Sequence, residues 1–389
     1  MLNEMFKRFS RLMLLLIAAT FSAQTAVQAQ VYQTAAKHAY LIDWNSGSVL
    51  FSKDEDEQVP PASLAKLMTL EVVFHALKTG ELTLESEFYI SEHAWRDGGA
   101  NSGGSTMFAK LGSMVPLDAL LHGIIVQSGN DACIAVAEGM AGNEETFAQL
   151  MNKRAEDIGL THSHFMNSTG LPAEGQMVTA KDLAKLARHL IDDYPEYYHY
   201  FAIPEFTWNG ITQHNRNPIL GFTEGADGLK TGHTEAAGYG LVASAKRGDE
   251  RLIAVLTGMK SKKERREEAR KIMNWGFRAF TSQRIFDPDE EVAYASVFGG
   301  DKSEVLLVSE RPVSLFMPRA QQGRLKARVY YDGPIKAPIE EGVEVATLKV
   351  WNDDKLIYEA PLITGESVGR GTTTQRAVGA LKELVLGWF

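Results

Sequence analysis

Pro61-Ala62-Ser63-Leu64-Ala65-Lys66-Leu67-Met68-Thr69 is the stretch from which the rest of the chain is best read. Pro60 and Pro61 suit the opening of a helix. The residues after them, through about Leu77, are mostly apolar and rich in helix formers, which predicts a buried helix. Gly80 lies just past its expected end, where a left-handed residue is wanted. Ser63-Leu64-Ala65-Lys66 is the only Ser-x-x-Lys in the chain. Spacing of three sets both side chains on one helix face, so the amine can reach the hydroxyl. Serine is a poor nucleophile until a base takes its proton, and lysine serves once burial or nearby positive charge lowers its pKa. A helix N-terminus also presents free N–H groups suited to an oxyanion. Taken alone, the pattern equally suits a core helix with a snorkelling lysine.

Two further motifs follow. Ser128-Gly129-Asn130 is the only Ser-x-Asn, placed between the apolar run 123–126 and a helix starting near Asp131. A second hydroxyl there can relay a proton and an amide can hold a carbonyl, although a plain turn with local Asx bonds explains the same residues. Lys-Thr-Gly occurs twice. Lys78-Thr79-Gly80 has a sufficient account as the end of the first helix. Lys230-Thr231-Gly232 stands just before an apolar strand, and a lysine, a hydroxyl and a glycine together suit an anionic substrate that approaches the backbone closely.

The chain around these motifs has 389 residues, 44% apolar and 23% charged, which excludes a disordered or fibrous protein and predicts two or three domains. Its net charge of −9 argues against nucleic acid as a partner. Lys7, Arg8 and Arg11 precede the apolar run 12–19, and Val27 and Ala29 supply small residues at −3 and −1. Residues 1–29 therefore read as an export leader cleaved after Ala29. Cys133 is the only cysteine, so stability must come from a core rather than an intrachain disulfide. Cys133 itself reads as a small core residue. His162 and His164 alternate on an expected strand without a third ligand at zinc spacing, so no metal is inferred.

Residues 39–52 alternate and turn at Asn45-Ser46-Gly47, which predicts a hairpin. Residues 117–191 read as mostly helical, with Thr179 capping the last helix. Strands are expected at 206–208, 238–245 and 252–257, then a long helix over 261–280 whose charged stretch 260–270 reads as a solvated face. Beyond about Arg284 short apolar runs alternate with turns, which predicts a separate β-rich domain. Residues rich in Gly, Ser and Thr from 364 to 374 read as a flexible linker. In residues 374–389 the apolar side chains share one arc of a helix. That helix is too short and too charged to span a bilayer, and it suits either a membrane surface or packing on its own protein.

The order Ser-x-x-Lys, Ser-x-Asn, Lys-Thr-Gly is far more specific than its parts. With their flanks, including Gln127-Ser128-Gly129-Asn130-Asp131-Ala132-Cys133 and Asp227-Gly228-Leu229-Lys230-Thr231-Gly232-His233-Thr234, these motifs resemble the low-molecular-mass penicillin-binding proteins, the D-alanyl-D-alanine carboxypeptidases of the S11 peptidase type. The similarity covers residues 39–280. It implies a mixed α/β (α+β) catalytic domain with an antiparallel sheet and a helical cluster, over residues 30–283. A small all-β domain over 284–365 and a linker with a membrane-associating helix over 366–389 would follow. It implies Ser63 as nucleophile, Lys66 as base and Ser128 as proton relay to the leaving D-alanine. Asn130 would hold the peptide, Lys230 and Thr231 of the Lys230-Thr231-Gly232 motif would bind the terminal carboxylate, and the Ser63 and His233 N–H groups would form the oxyanion hole. The His233 side chain has no assigned role, nor does Ser105 in its glycine-rich loop. The implied partners are peptidoglycan stem peptides ending in D-Ala-D-Ala, β-lactams as covalent inhibitors, and a membrane surface at the periplasmic face; no cofactor is implied. Alternatives are a serine β-lactamase, for which the nearest deacylating pattern begins at Glu205 and lacks the leucine, or an idle wall-binding scaffold.

Overall fold

The computed structural model describes residues 32–319 and 324–376. The expected leader, 1–29, lies outside these residues, as does nearly all of the expected terminal helix. The hairpin forms as expected: β1 (His38–Asp43) and β2 (Val49–Lys53) pair antiparallel around the Asn45-Ser46-Gly47 turn. Three later strands, β3 (Ala226–Thr234), β4 (Gly238–Arg247) and β5 (Glu250–Met259), complete an antiparallel sheet in the order β2-β1-β5-β4-β3. β3 is thus an edge strand. It contains Lys230, Thr231 and Gly232, which the sequence placed just before a strand. Its glycines and polar residues hide the usual apolar alternation, yet residues 228–232 are buried or nearly so.

The helical cluster packs on this sheet. α1 (Lys66–Thr79) is buried over most of its length and ends at Gly80 with φ +78°. α2 (Asn130–Ala141) and α3 (Glu144–Asp157) follow, then α4 (Ala180–Asp193), whose cap Thr179 accepts from the Asp182 N–H. Residues 158–179, expected within a mostly helical run, instead form turns and isolated bridges, among them His164 with Met177. α5 (Lys262–Ala279) closes the domain with Ser261 as its cap. One face of its charged stretch turns inward, burying Arg265 and Glu268.

Strands take over at Phe280. β6 (Phe280–Phe286) pairs with β9 (Val313–Pro318), while β7 (Ala293–Phe298), β8 (Glu304–Val308), β10 (Leu325–Tyr331), β11 (Ile335–Lys336), β12 (Glu344–Asn352) and β13 (Lys355–Thr364) form a second sheet in the order β10-β12-β13-β8-β7-β11. This domain has its own core, built on Leu307, Leu315, Leu348 and Leu362. The segment expected as a flexible linker is not free. Gly365 N donates to Leu306 O, Val368 bridges Ile339 and is buried, and Gly371 N donates to Gly299 O. Its small residues serve close packing on the sheet rather than slackness.

Candidate active site

Ser63 sits in a single 3-10 turn, residues 62–65, immediately before α1. The expected helix therefore starts as a tighter turn, and Ala62 enters it with φ +48°. Lys66, the first residue of α1, is fully buried, yet its Nζ lies 3.1 Å from Ser63 Oγ. Two other acceptors hold that nitrogen: Asn130 Oδ1 at 2.8 Å and the Thr169 carbonyl at 2.5 Å. Burial pulls the Lys66 amine below the ordinary lysine value, and Arg216 acts in the same direction. A neutral amine has two hydrogens and one lone pair. With the hydrogens directed to Asn130 and Thr169, the lone pair is left facing the serine hydroxyl, the geometry of a general base.

Ser128 ends a π-helical turn, residues 123–127, in a left-handed conformation with φ +62°. Irregular turns and left-handed non-glycine residues concentrate at functional sites. Asn130 opens α2 directly behind it. The neighbouring Asp131 carboxylate accepts from Thr106 Oγ1 at 2.6 Å, Met107 N at 2.9 Å and Ala109 N at 3.1 Å, and so ties the loop after Ser105 to this helix. Asn130 N donates to Ser105 O in the same strap. Lys230 reaches the group from β3: its Nζ donates to Ser128 Oγ at 2.9 Å and to Thr231 O at 3.0 Å. Burial, then Lys66 and Arg216, hold the Lys230 amine well below the ordinary lysine value. Gly232 passes close over the serine turn. A Cβ there would meet Leu64 Cγ at 3.0 Å and the Pro61 carbonyl at 3.2 Å.

The three motifs thus converge. Ser63, Ser128, Thr231, Gly232 and His233 line one cleft of about 550 Å³, while Lys66, Asn130 and Lys230 sit beneath it. His233 stacks on Tyr239 across the strand pair, centroids 3.9 Å apart. Ser105 also lines the cleft and accepts a hydrogen bond from Arg216. The other Lys-Thr-Gly copy lies at the end of α1, where Lys78 meets the Asp193 carbonyl. Cys133 is buried beside the lysines, its thiol pushed up to about 12 by burial. Glu205 begins an exposed hairpin, where it pairs with His214, and does not line the cleft.

Sequence reasoning missed Thr169, Arg216, Lys262 and Arg265. Thr169 acts through its carbonyl, which no side-chain pattern announces; the only sign is the turn-rich Asn167-Ser168-Thr169-Gly170. Gly170 there has φ +77°, and a Cβ on it would fall 1.9 Å from the Ala62 carbonyl. Arg216, Lys262 and Arg265 line the cleft. Burial lowers Arg265 to about 10, so it stays charged at neutral pH.

A hydroxyl held against a buried amine, at the floor of a cleft whose charged walls are cationic, equips a protein as a serine hydrolase for anionic acyl substrates. Comparison with known proteins narrows the class. Residues 23–261 match the family model of D-alanyl-D-alanine carboxypeptidase, peptidase S11, and residues 280–370 match the penicillin-binding protein 5 C-terminal domain. The chain is 41% identical over 365 residues to the Escherichia coli D-alanyl-D-alanine carboxypeptidase DacC, covering 93% of this chain and 91% of that one. The crystal structure of penicillin-binding protein 5 from Haemophilus influenzae superposes with a TM-score of 0.79 at 37% identity, covering 87% of this chain and 99% of the other. Penicillin-binding protein D2 from Listeria monocytogenes, in its ampicillin-bound form, is similar at 27% identity and TM-score 0.55, over 63% of this chain and 98% of that one. The chain belongs to the peptidase S11 family of D-alanyl-D-alanine carboxypeptidases. Its activity is that of a serine-type D-Ala-D-Ala carboxypeptidase of the penicillin-binding protein 5/6 kind.

Proposed function

We propose that the chain removes the terminal D-alanine from peptidoglycan stem peptides through an acyl-enzyme on Ser63. The observation that carries the assignment of roles is the position of Lys66 Nζ, 3.1 Å from Ser63 Oγ and held by two other acceptors, so that the neutral amine would turn its lone pair to Ser63. Ser63 Oγ gives its proton to neutral Lys66 and attacks the carbonyl between the two D-alanines. The Ser63 and His233 N–H groups receive the oxyanion. As the C–N bond breaks, the proton on Lys66 passes by way of Ser128 to the leaving amine. Ser128 Oγ already accepts from Lys230, so its own hydrogen is free to point at the leaving group. Water then attacks the ester as Lys66 takes its proton, the bond from the acyl carbon to Ser63 Oγ breaks, and that proton returns from Lys66 to Ser63 Oγ.

The substrate ends in a carboxylate, and the cleft supplies Thr231, Arg216 and Arg265 to receive it. Lys230 supports that end from below, through Ser128 and Thr231. Asn130 holds the peptide with its amide N–H₂ while its Oδ1 remains on Lys66. β-Lactams carry the same carboxylate and acyl group, and they leave a slow-clearing adduct on Ser63. The test is free D-alanine released from a peptide ending in D-Ala-D-Ala, with Ser63→Ala as control. Release that persists in the control would overturn the assignment of Ser63.

The enzyme is proposed to work at the periplasmic face of the inner membrane after loss of residues 1–29. The amphipathic pattern of residues 374–389 supports a peripheral membrane contact. Deleting those residues should release the protein from membranes; unchanged sedimentation would sink that part of the proposal.

A further inference from the structure

The C-terminal domain carries a surface that peptide hydrolysis does not use. β10 is an edge strand, paired only by β12. Side chains alternate across it. Val329 and Tyr331 pack against the domain core. Lys326, Arg328 and Tyr330 stand on the opposite face, all exposed. The register sets them beside Trp351, Lys349 and Thr347 of β12. The Tyr330 and Trp351 rings lie 6.1 Å apart at 62°. Lys349 Nζ sits 5.7 Å from the Tyr330 ring centre and is held by Glu359 of β13 at 2.5 Å. Glu359 thus answers Lys349, whereas Lys326 and Arg328 make no ion pair among the described residues. Lys326 and Arg328 thus stand as two exposed cations on this strand.

We infer that this face binds a carboxylate-bearing glycan strand. Rings on a rigid sheet present flat apolar surface to sugar C–H groups and lose little entropy in doing so. Arginine grips a carboxylate through two parallel N–H bonds, and spaced cations suit an acidic polymer better than a single acid. A shallow hollow of about 560 Å³ continues from Tyr330 past Asp332 and Glu344, whose carboxylates can accept from sugar hydroxyls. An anionic lipid surface would use the cations but presents no row of flat sugar C–H faces to rings held on a rigid sheet. The proposed function explains why such a polymer is at hand: stem peptides are amide-linked to acid groups on a chain of amino sugars, and each such group becomes a free carboxylate where its peptide has been cut away. The face therefore gives the enzyme a hold on the glycan separate from its hold on the peptide.

The test is retention of the full chain on resin-coupled glycan strands stripped of every stem peptide by an amidase, beside co-sedimentation with phosphatidylglycerol vesicles. Stripped glycan contains no D-Ala-D-Ala, so the cleft has no ligand there, and the result is independent of whether peptide is hydrolysed. Wild-type protein should be retained on the glycan. Retention should fall about tenfold in Arg328→Ala/Tyr330→Ala, survive Tyr330→Phe, and weaken with salt. D-alanine release from a soluble peptide and the thermal melt should stay unchanged in these variants, which separates lost binding from lost fold. Equal retention of wild type and double variant would overturn the inference, as would absence of glycan binding in the wild type. Vesicle binding that the double variant loses, without glycan binding, would assign the face to lipid instead.

Discussion

Gly170→Ala should cripple catalysis while leaving the molecule folded. The glycine carries φ +77°, and a Cβ built on it falls 1.9 Å from the Ala62 carbonyl oxygen. Optimal heavy-atom contacts lie near 3.5 Å, so one of the two backbones must give by more than about 1 Å. Each candidate for that movement holds the site. Ala62 precedes the proposed nucleophile, Ser63, and the carbonyl of Thr169 fixes the Lys66 amine at 2.5 Å. Displacement of about 1 Å at a reacting pair costs on the order of 100-fold in rate, or about 2.7 kcal/mol of barrier. The left-handed backbone adds a further ~1–2 kcal/mol to stability loss, independent of the site. Gly175→Ala isolates that second cost. Gly175 has φ +82° in the same loop, but a Cβ there meets only Met166 Sδ, at 4.0 Å. The assay is kcat/KM for D-alanine release, with the rate of β-lactam acylation and the thermal melt measured on the same samples. Both variants should melt lower, and only Gly170→Ala should lose activity. Retention of activity within about threefold in a folded Gly170→Ala would refute the argument that this contact sets the Ser63–Lys66 geometry.

Other expectations follow from the same buried groups. The base must be neutral, and burial holds Lys66 below the ordinary lysine value, so acylation should rise with pH through a limb lying below the lysine range; a limb at the ordinary value would count against Lys66 as base. Glu71, on α1, receives Arg154 at 2.6 Å, His189 at 3.3 Å and Tyr194 at 3.0 Å. Burial works to raise its pKa, but His189 and Arg154 prevail and hold the carboxyl below its ordinary value. It therefore adds stability above the unfolded value, which is lost as pH falls through the lower folded value. Glu71→Gln should cost about 3 kcal/mol in urea denaturation at neutral pH and much less in strong acid; an equal cost at both would refute the linkage. Native Cys133 should ignore alkylating agents at pH 8, because its thiol sits near 12 behind complete burial, and should react once the chain is unfolded.

Much of this site is visible in residue order because its side chains do their own chemistry. Ser63, Lys66, Ser128, Asn130, Lys230 and Thr231 are polar groups in or beside apolar runs, and such placement is costly unless they have partners. What stayed hidden acts through backbone or through rotation about a helix. Thr169 contributes a carbonyl, which every residue owns. Arg265 lies in a charged stretch whose neighbours are solvated, and only the packed sheet decides that it faces the cleft. β3 was hard to see for a related reason: an edge strand that must admit Leu64 and a substrate carries glycine where other strands carry valine. The capped helix ends at Thr179 and Gly80 were legible because their signals are local. The 364–374 segment was misjudged because small residues that permit flexibility also permit tight packing, and the choice between them is made by distant strands.

The five-stranded sheet also dictates when the enzyme can first exist. β1 lies between β2 and β5, with His38 opposite Thr257. The first strands of the catalytic domain are thus left without their central neighbour until residues 250–259 have arrived. Closing so long a loop is slow compared with forming local helices. A chain still being synthesised has Ser63 and Lys66 before β3 exists above them, and hence no cleft. The hydrolase is switched on by its own completion.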